Sequence, residues 1–314
     1  MADTLTGTSA LLTDTAAYER LAYFPYRAEN MFAQVADVKP TNQTHNGATV
    51  LFTKYTDMAI ASTPLSEAVD VDAVAIADAQ VTVTLQEYGN AVIPTAKLRA
   101  TSYIDIDPVI GNLLGYNAGI TIDTVARSVI EAGTNVLYSG AASSRVTVAA
   151  THVLTSANVR RAYAELSDAN VPGWGGMYVC FISPKVMYDL KQETGDLGWR
   201  APHVYSDPSN IYNGEAGSFE GFRFIVTPRA PLFVNGGVGS TVDVYRTLFL
   251  GRQAIATAHS NAGGYGPNPI VVKSPIVDHL RRFEGWGWKH FVGFARFREE
   301  AMRAYESSSS IGAN

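Results

Sequence analysis

The sequence predicts an α+β fold in which one long helix is combined with strands that precede and follow it. Between Ile120 and Gly140, apolar side chains recur at steps of three and four, as in an amphipathic helix. Earlier in the chain, within residues 47–94, apolar and polar side chains alternate as they do in half-buried strands. From about residue 151 onwards, helical patterns alternate with short apolar runs, which indicates helices layered on a sheet.

Both ends of the predicted long helix carry boundary signals. Thr121 can serve as the N-cap, Ile120 and Val125 occupy the positions of a hydrophobic staple, and Gly140 follows as a stop signal. Each large residue of the apolar stripe is worth about 1.5–3 kcal/mol when buried, so the helix needs a surface to pack on. The predicted stripe comprises Ile122, Val125, Val129, Ala132 and Val136, and the opposite face carries Asp123, Arg127, Glu131 and Asn135.

A long hairpin is predicted before this helix. Thr49–Tyr55 has the composition of a strand, and Val81, Val83 and Leu85 alternate with polar residues in a second strand. The 25 residues between them, 56–80, are rich in Ala, Ser, Thr and Asp. A connection of this length is normally functional or disordered, and an isolated two-stranded hairpin is marginally stable in water. We therefore expect another molecule to cover the hairpin.

The remaining elements are indicated by local signals. Pro108 lies near the start of a helix, Thr155 or Ser156 caps another, and Ser183-Pro184 opens a third. Buried or extended strands are predicted at Met177–Ile182, Phe222–Val226, Val244–Ala256, Ile270–Lys273 and Trp286–Phe297, and the chain ends in the polar tail SSSSIGAN.

Composition limits the classes of function. Charged residues make up 17% of the chain, which also contains 16 Tyr and 13 Phe. This composition is typical of a protein with extensive contacts between subunits, and equally of a well-packed enzyme. The net charge of −5 argues against a dedicated nucleic-acid binder. The N-terminal residues lack the basic and apolar regions of a signal peptide, and no apolar run has the length of a membrane span. Cys180 is the only cysteine and is expected to be an inert core thiol.

Catalytic and ligand-binding patterns are weak. The six histidines have no spacing typical of a metal site, so no metal or cofactor is expected. Two pairs of aspartates could serve glycosidic chemistry or calcium binding, but a turn and a solvated loop explain them better: Asp105 with Asp107, and Asp70 with Asp72. The segment KHFVGFARF (289–297) is similar to an RNA-binding strand, but an aromatic core strand is the better interpretation.

The order of these parts resembles that of the major capsid proteins of tailed bacteriophages, which have the HK97-like fold. Within it, the segment from Pro64 to Leu98 is similar to the hairpin of the subgroup related to the coat protein of the coliphage called N-four. In that subgroup a Pro-Leu-x-Glu element precedes a β-run ending in Tyr-Gly, and the matching residues here are Pro64, Leu65, Glu67, Tyr88 and Gly89.

The resemblance implies a structural protein without catalysis or cofactor, which self-assembles into the hexamers and pentamers of an icosahedral phage head around double-stranded DNA. It implies assembly in the host cytoplasm and contacts with a portal, a separate scaffolding protein and a decoration protein, with no membrane contact. The implied parts are an N-terminal arm (1–46), an E-loop hairpin (47–94), a P-domain with the spine helix (95–150), an A-domain (151–269), and a second P-domain part with the C-terminal tail (270–314).

Charge suggests which surfaces meet in such a shell. Residues 55–96 contain acids and no Lys or Arg, whereas residues 273–303 are rich in bases. Two independently solvated faces explain this segregation as well as a contact does, and the family resemblance favours the contact. In the family, the E-loop of one subunit lies over the P-domain of the next. We therefore expect contacts from the E-loop residues Asp57, Pro64, Leu65, Glu67, Asp70, Asp72 and Asp78, and from the P-domain residues Arg281, Arg282, Lys289, Arg296 and Arg298.

Two alternatives stay open at the level of the sequence. A bacterial nanocompartment shell has the same fold, and it would bind cargo proteins where a phage head encloses a genome. A carbohydrate-active β-rich enzyme could use one of the aspartate pairs. The missing signal peptide and the absence of a cluster of acids and histidines in the sequence weigh against the enzyme.

Overall fold

The structure is a computed structural model that describes residues 31–38, 48–55, 58–62, 64–65, 67, 70, 73–102, 106–193, 198, 217–261, 265–273, 278–280 and 282–312. Three of the expected contact residues, Asp57, Asp72 and Arg281, lie outside this range, as does most of the expected N-terminal arm.

Four α-helices and fourteen strands occur in the described part of the chain. The helices are α1 (Ala96–Thr101), α2 (Ile106–Glu131), α3 (Ser156–Asp168) and α4 (Pro184–Gln192). The strands are β1 (Asp37–Val38), β2 (Thr49–Tyr55), β3 (Asp78–Thr84), β4 (Gln86–Val92), β5 (Val136–Tyr138), β6 (Tyr178–Ile182), β7 (Ser218–Phe219), β8 (Phe222–Val226), β9 (Leu232–Phe233), β10 (Val244–Leu250), β11 (Ile255–His259), β12 (Ile270–Lys273), β13 (Trp286–Arg296) and β14 (Met302–Ser307). The mixture of helix and sheet confirms the predicted fold class.

The first of two compact units comprises the described residues of Glu87–Thr121 and Asn268–His290. Within it, β12 and β4 both pair with β13. Three side chains of α2 spaced four residues apart, Ile110, Leu114 and Ala118, form an apolar cluster with Trp288 of β13. The indole N–H of Trp288 donates to the side-chain oxygen of Asn117 at 2.9 Å, so its polar edge is satisfied where its ring is buried.

The second unit comprises the described residues of Ala28–Gln86, Ile122–Pro267 and Phe291–Asn314. Its main sheet has the strand order β5-β14-β10-β6-β8-β7, with β9 also paired to β10. All seven residues of β10 are buried, which is the pattern of a central strand covered on both faces. Helices α3 and α4 contribute to the same apolar cluster as the sheet, through side chains such as Val159, Leu166 and Leu190.

The long helix differs from its prediction at both ends. It begins at Ile106 and ends at Glu131, whereas the sequence predicted 120–140. Thr121 is therefore not an N-cap; its hydroxyl donates to the carbonyl oxygen of Asn117 at 2.7 Å within the helix. Glycines at positions 111, 115 and 119 lower the helix propensity of this segment. Burial of the apolar side chains of Ile110, Leu114 and Ala118 on the same helix outweighs that cost. Beyond the helix, Val136–Tyr138 pairs in parallel with β14.

The face of this helix also differs from the prediction. Asp123, expected on the exposed side, is only 1% exposed, and Ala126 and Ile130 are buried beside it. The predicted stripe residues Ile122, Val125 and Val129 are half-buried. The buried face of α2 is therefore rotated from the predicted stripe towards Asp123. The Asp123 carboxylate is tolerated in the core because a partner far along the chain offsets the cost of its burial.

Three further predictions can be compared with the described residues. The expected strand Val244–Ala256 is two strands, β10 and β11, separated by a turn in which Gln253 has a φ of 66°. The expected polar tail is not a free tail, because the serines at 307, 308 and 309 are fully buried. Cys180 is buried as predicted, and this burial raises the pKa of its thiol.

Candidate assembly surface

The base of the predicted hairpin is fixed to the second unit. Strands β2 and β3 pair antiparallel, from Thr49 opposite Thr84 to Tyr55 opposite Asp78. Their inner face packs on β11, in a buried cluster that comprises Val50, Phe52, Val83, Leu85, Ala256 and Ala258. Gly293 of β13 permits this approach, because a Cβ there would lie 2.4 Å from the carbonyl oxygen of Thr84. The hairpin ends at Thr84, since β4 pairs with β13 instead of continuing it.

Beyond these strands the chain leaves the core. We call residues 56–77 the arm; its described residues form neither helix nor strand. Among the described residues of the arm, five large apolar side chains are between 58% and 92% exposed: Met58, Ile60, Leu65, Val74 and Ile76. Such a concentration of exposed aliphatic side chains marks an interaction site on a soluble protein. Burial of each would contribute about 1.5–3 kcal/mol, so a covering partner would be favoured strongly.

Three of the acidic residues of the expected contact lie in the described part of the chain, and all three are exposed. Glu67 and Asp70 of the arm and Asp78 of β3 are exposed, as are Pro64 and Leu65. The sequence places no Lys or Arg between Tyr55 and Ala96. The arm is therefore an apolar surface with carboxylates and no base of its own.

The expected basic residues are distributed over both units, and each has contacts inside its own unit. The Arg282 guanidinium lies 2.9 Å from a carboxylate oxygen of Asp278, and hydrogen bonds from the backbone and side chain of Arg282 lower the pKa of that carboxyl. Lys289 lies on the same unit's β13 and also has a partner. These two bases belong to the first unit, so their charge is only partly available to a neighbour.

The other two bases belong to the second unit. Arg296 lies 3.3 Å from the Glu299 carboxylate and also donates to the carbonyl oxygen of Ala132. Arg298 donates to the carbonyl oxygen of Ala169 at 2.8 Å. The four described bases are thus not gathered into one patch within either unit.

A buried ion pair that the sequence did not predict anchors the start of the described chain. The Asp123 carboxylate lies 2.7 Å from the Arg229 guanidinium and accepts hydrogen bonds from the backbone amides of Phe32 and Ala33, at 2.7 and 3.3 Å. Arg229 also donates to the Thr124 hydroxyl at 2.7 Å. These bonds hold residues 32–33 against α2, and we call the group the Asp123 clamp.

A second buried group joins the sheet to its loops. Glu306 of β14 is fully buried and lies 2.5 Å from Arg246 and 2.8 Å from Arg145. The Arg145 guanidinium also lies 3.4 Å from the centre of the Phe233 ring, a cation–π geometry. Its hydrogen bonds to Glu306 raise the pKa of Arg145. No local pattern signals this group, because its members come from three distant segments.

Neither a metal-binding group nor a membrane-spanning helix is found among the residues that the structure describes. No three His, Cys, Asp or Glu residues there are grouped so that they could hold a metal ion. None of the described helices combines the length and the apolar character needed to cross a membrane. The exposed arm on its packed base is the candidate assembly surface.

Comparison with known proteins identifies the family. The model of a phage capsid protein family matches residues 8–303. No curated protein sequence matches the chain.

Solved structures show the same fold. The capsid of Ralstonia phage GP4 is similar with a TM-score of 0.77 and 16% identity over 98% of both chains. The capsid of the cyanophage P-SCSP1u has a TM-score of 0.73 and 16% identity, over 98% of this chain and 96% of that one. The capsid of Helicobacter pylori bacteriophage KHP30 has a TM-score of 0.71 and 12% identity, over 98% and 99%. The chain belongs to the phage capsid protein family, and it is a major capsid protein, a structural component of the virion.

Proposed function

We propose that this capsid protein assembles with copies of itself into hexamers and pentamers of an icosahedral head around double-stranded DNA, and that the arm of each subunit is the element that grips a neighbour. The observation that carries the proposal is the exposure of Ile60, Leu65 and Ile76 at 92%, 77% and 69% on a hairpin whose base is packed into the core. A fixed base allows the arm to be presented in one direction, which lowers the entropic cost of association.

Deletion of the arm tests this proposal. Removal of Met58–Ala77 should leave a soluble subunit, because the described arm residues contribute nothing to the buried clusters. The deleted protein should show unchanged circular dichroism and should form no closed shells in negative-stain images. A matched control replaces Val146, a 67% exposed valine outside the arm, by serine, and should assemble normally. Shells of normal size from the deleted protein would refute the assembly role.

Charge is proposed to set the register of this contact. The acids of the hairpin meet the basic C-terminal residues of a neighbour, including Arg282 and Arg281. Exposed pairs of this kind contribute about 0–1 kcal/mol each and mainly affect orientation and encounter rate. The segregation of charge supports this proposal, because residues 55–96 contain acids but no Lys or Arg.

The pairing is testable by charge reversal. Arg281→Glu with Arg282→Glu should slow or misdirect assembly, and Asp70→Lys with Asp72→Lys in the same chain should partly restore it. Since Arg282 also holds Asp278 inside the subunit, Asp278→Asn is the control that breaks this bond without reversing a base. Assembly kinetics followed by light scattering give the rates. A combined variant no faster than either pair of reversals alone contradicts this pairing, though not the role of the arm.

Further partners belong to the same proposal. We infer membership in the subgroup related to the coliphage N-four coat protein, the domain boundaries that the family implies, and assembly in the host cytoplasm with a separate scaffolding protein, a portal and a decoration protein. The Pro64, Leu65, Glu67, Tyr88 and Gly89 pattern supports the subgroup. Expression of the chain alone tests the need for a scaffold: uniform closed shells without any other phage protein would contradict it.

A further inference from the structure

An apolar groove in the second unit lies where the described part of the chain begins. It has a volume of about 710 Å³ and lies among the 3-10 turn Phe32–Val35, helix α4 and strand β8. Two methionines, Met31 and Met187, line it together with aromatic and aliphatic side chains: Tyr188, Phe224, Ile225 and Val226. A concave apolar site of this size is typical of ligand sites in proteins.

The turn that forms one wall of the groove is held on two sides. The Asp123 carboxylate accepts hydrogen bonds from the backbone amides of Phe32 and Ala33, at 2.7 and 3.3 Å. The Phe32 ring is 1% exposed and lies 4.5 Å from the ring of Phe181, centre to centre. Met31 directly precedes these fixed residues and itself lines the groove. The residues before Met31 are therefore tethered at the edge of the groove.

This tether makes the preceding residues of the same chain the favoured occupant. Six residues separate Phe24 from Met31, and they span up to about 25 Å when extended. A short connection of this kind gives a tethered segment an effective concentration in the millimolar range. A segment of another free subunit, present at micromolar concentration, competes poorly with it.

The composition of residues 15–26, which lie outside the described range, matches the groove. Ala17, Leu21 and Phe24 recur at steps of four and three, as on one face of an amphipathic helix, and Pro25 marks its end. Four of the twelve residues 15–26 are aromatic, whereas residues 56–77 include no aromatic residue. Methionine adapts to irregular apolar surfaces, and its sulfur makes favourable contacts with aromatic rings. The two methionines of the groove therefore favour this aromatic segment over the aliphatic arm.

We propose that the groove receives residues 15–26 of the same chain in the free subunit, as an amphipathic helix laid into an apolar groove. The side chains of Leu21 and Phe24 contact Met187 and Tyr188. The contact covers apolar surface that a soluble subunit would otherwise expose. It uses neither the arm nor its acids, so it is independent of the proposed assembly contact. Any partner that binds in this groove has to displace the segment first.

Photochemical cross-linking in the dilute, unassembled subunit identifies the occupant. A p-benzoylphenylalanine is placed at Tyr188, and the cross-linked peptides are identified by mass spectrometry. The major product should join position 188 to residues 15–26 within one chain. Its yield should not change when the protein is diluted roughly tenfold, since a tethered contact does not depend on protein concentration. The same amino acid at Tyr163, which is 37% exposed and outside the groove lining, is the matched control and should not capture that segment.

Three results of this experiment would overturn the inference. A major product that contains residues 58–77 would identify the arm as the occupant. A product between two chains, with a yield that falls on dilution, would identify a second copy as its source. Capture of residues 15–26 that is no stronger from position 188 than from position 163 would show that the groove does not bind the segment.

Limited proteolysis provides a second test, because trypsin cuts after Arg20 only while the segment is out of the groove. Tyr188→Asp in the groove and Phe24→Asp in the segment should each raise the initial rate of this cut roughly tenfold, as loss of a central apolar contact weakens other interfaces. Leu5→Asp, outside the segment, and Val146→Ser, outside the groove, are matched controls and should leave the rate unchanged. Melting temperatures check that each variant folds. Equal rates of cleavage in the wild type, Tyr188→Asp and Phe24→Asp would contradict the inference.

Discussion

The main sheet of the second unit and the arm attached to it use polar and apolar residues in opposite ways. In the sheet, the charged residues Arg246 and Glu306 are buried, at 6% and 0% exposure, beside the apolar strands. In the arm, the apolar residues Ile60 and Leu65 are exposed, at 92% and 77%. Burial of a charged pair requires hydrogen bonds that offset its desolvation, and a concentration of exposed apolar side chains marks a site of interaction. The comparison teaches that the core satisfies its polar groups within the subunit, whereas the described arm leaves its apolar side chains uncovered.

The largest effect should come from removal of the buried carboxylate. Glu306→Ala leaves Arg246 buried without its ionic partner, which should reduce the free energy of unfolding by about 3–5 kcal/mol. Chemical denaturation of the soluble subunit measures this loss. The matched control is Glu300→Gln, whose side chain is 54% exposed in its ion pair with Lys54 and should change stability little. Equal losses for the two variants would contradict the burial argument.

The next prediction compares the loss of stability when an aliphatic side chain is truncated in the sheet and in the arm. Leu248→Ala in β10, at 1% exposure, should lower the free energy of unfolding by about 2–5 kcal/mol, since it opens a cavity. Ile60→Ala in the arm should change it by less than about 0.5 kcal/mol but should reduce assembly. Denaturation and particle yield measure both quantities for each variant. An Ile60→Ala subunit that is clearly destabilised would show that the arm packs on its own chain.

A smaller effect is expected where the hairpin meets the core. In Gly293→Ala the new Cβ would meet the Thr84 carbonyl oxygen at 2.4 Å, so β3 must shift and about 1–3 kcal/mol of stability should be lost. Gly111→Ala in α2 is the control, because nothing lies within 4 Å of its added Cβ. That change should stabilise the helix by roughly 0.5–1 kcal/mol. Melting temperatures of Gly293→Ala and Gly111→Ala that shift in the same direction would contradict the close approach of Gly293 to Thr84.

The smallest expected effect is the loss, at low pH, of the stability that Glu300 contributes. A hydrogen bond from its own backbone amide, together with the charges of Lys54 and Arg298, lowers the pKa of Glu300 below its usual 4.5. The stability that Glu300 contributes at the base of the hairpin is therefore complete above about pH 4.5 and is lost as the pH falls through the lowered value. The stability difference between wild type and Glu300→Gln, measured from pH 7 to pH 3, should shrink only below that point. A stability difference between the two proteins that increases as the pH falls would contradict the lowered pKa of Glu300.

Local signals explain which parts of the core were predictable. The strand Thr49–Tyr55 has its predicted bounds, and helices α3 and α4 begin directly after Thr155 and Ser183. The exposure of the arm also followed from composition, since a long acidic connection without a core pattern cannot bury itself. In each case the deciding residues are neighbours in the chain.

The sequence by itself determined the fold class, these strands and helices, and the presence of an exposed acidic arm, because each depends on contacts or periodicity within a few residues. Only the tertiary structure decided the bounds and the buried face of α2, the burial of the serine tail, and the two charged groups in the core. Asp123 meets the amide of Phe32 across 91 positions, and Arg145 meets Glu306 across 161. A local sequence pattern predicts that a carboxylate is exposed. Its burial becomes possible only when the tertiary structure brings a partner from far along the chain, which offsets the cost of burial.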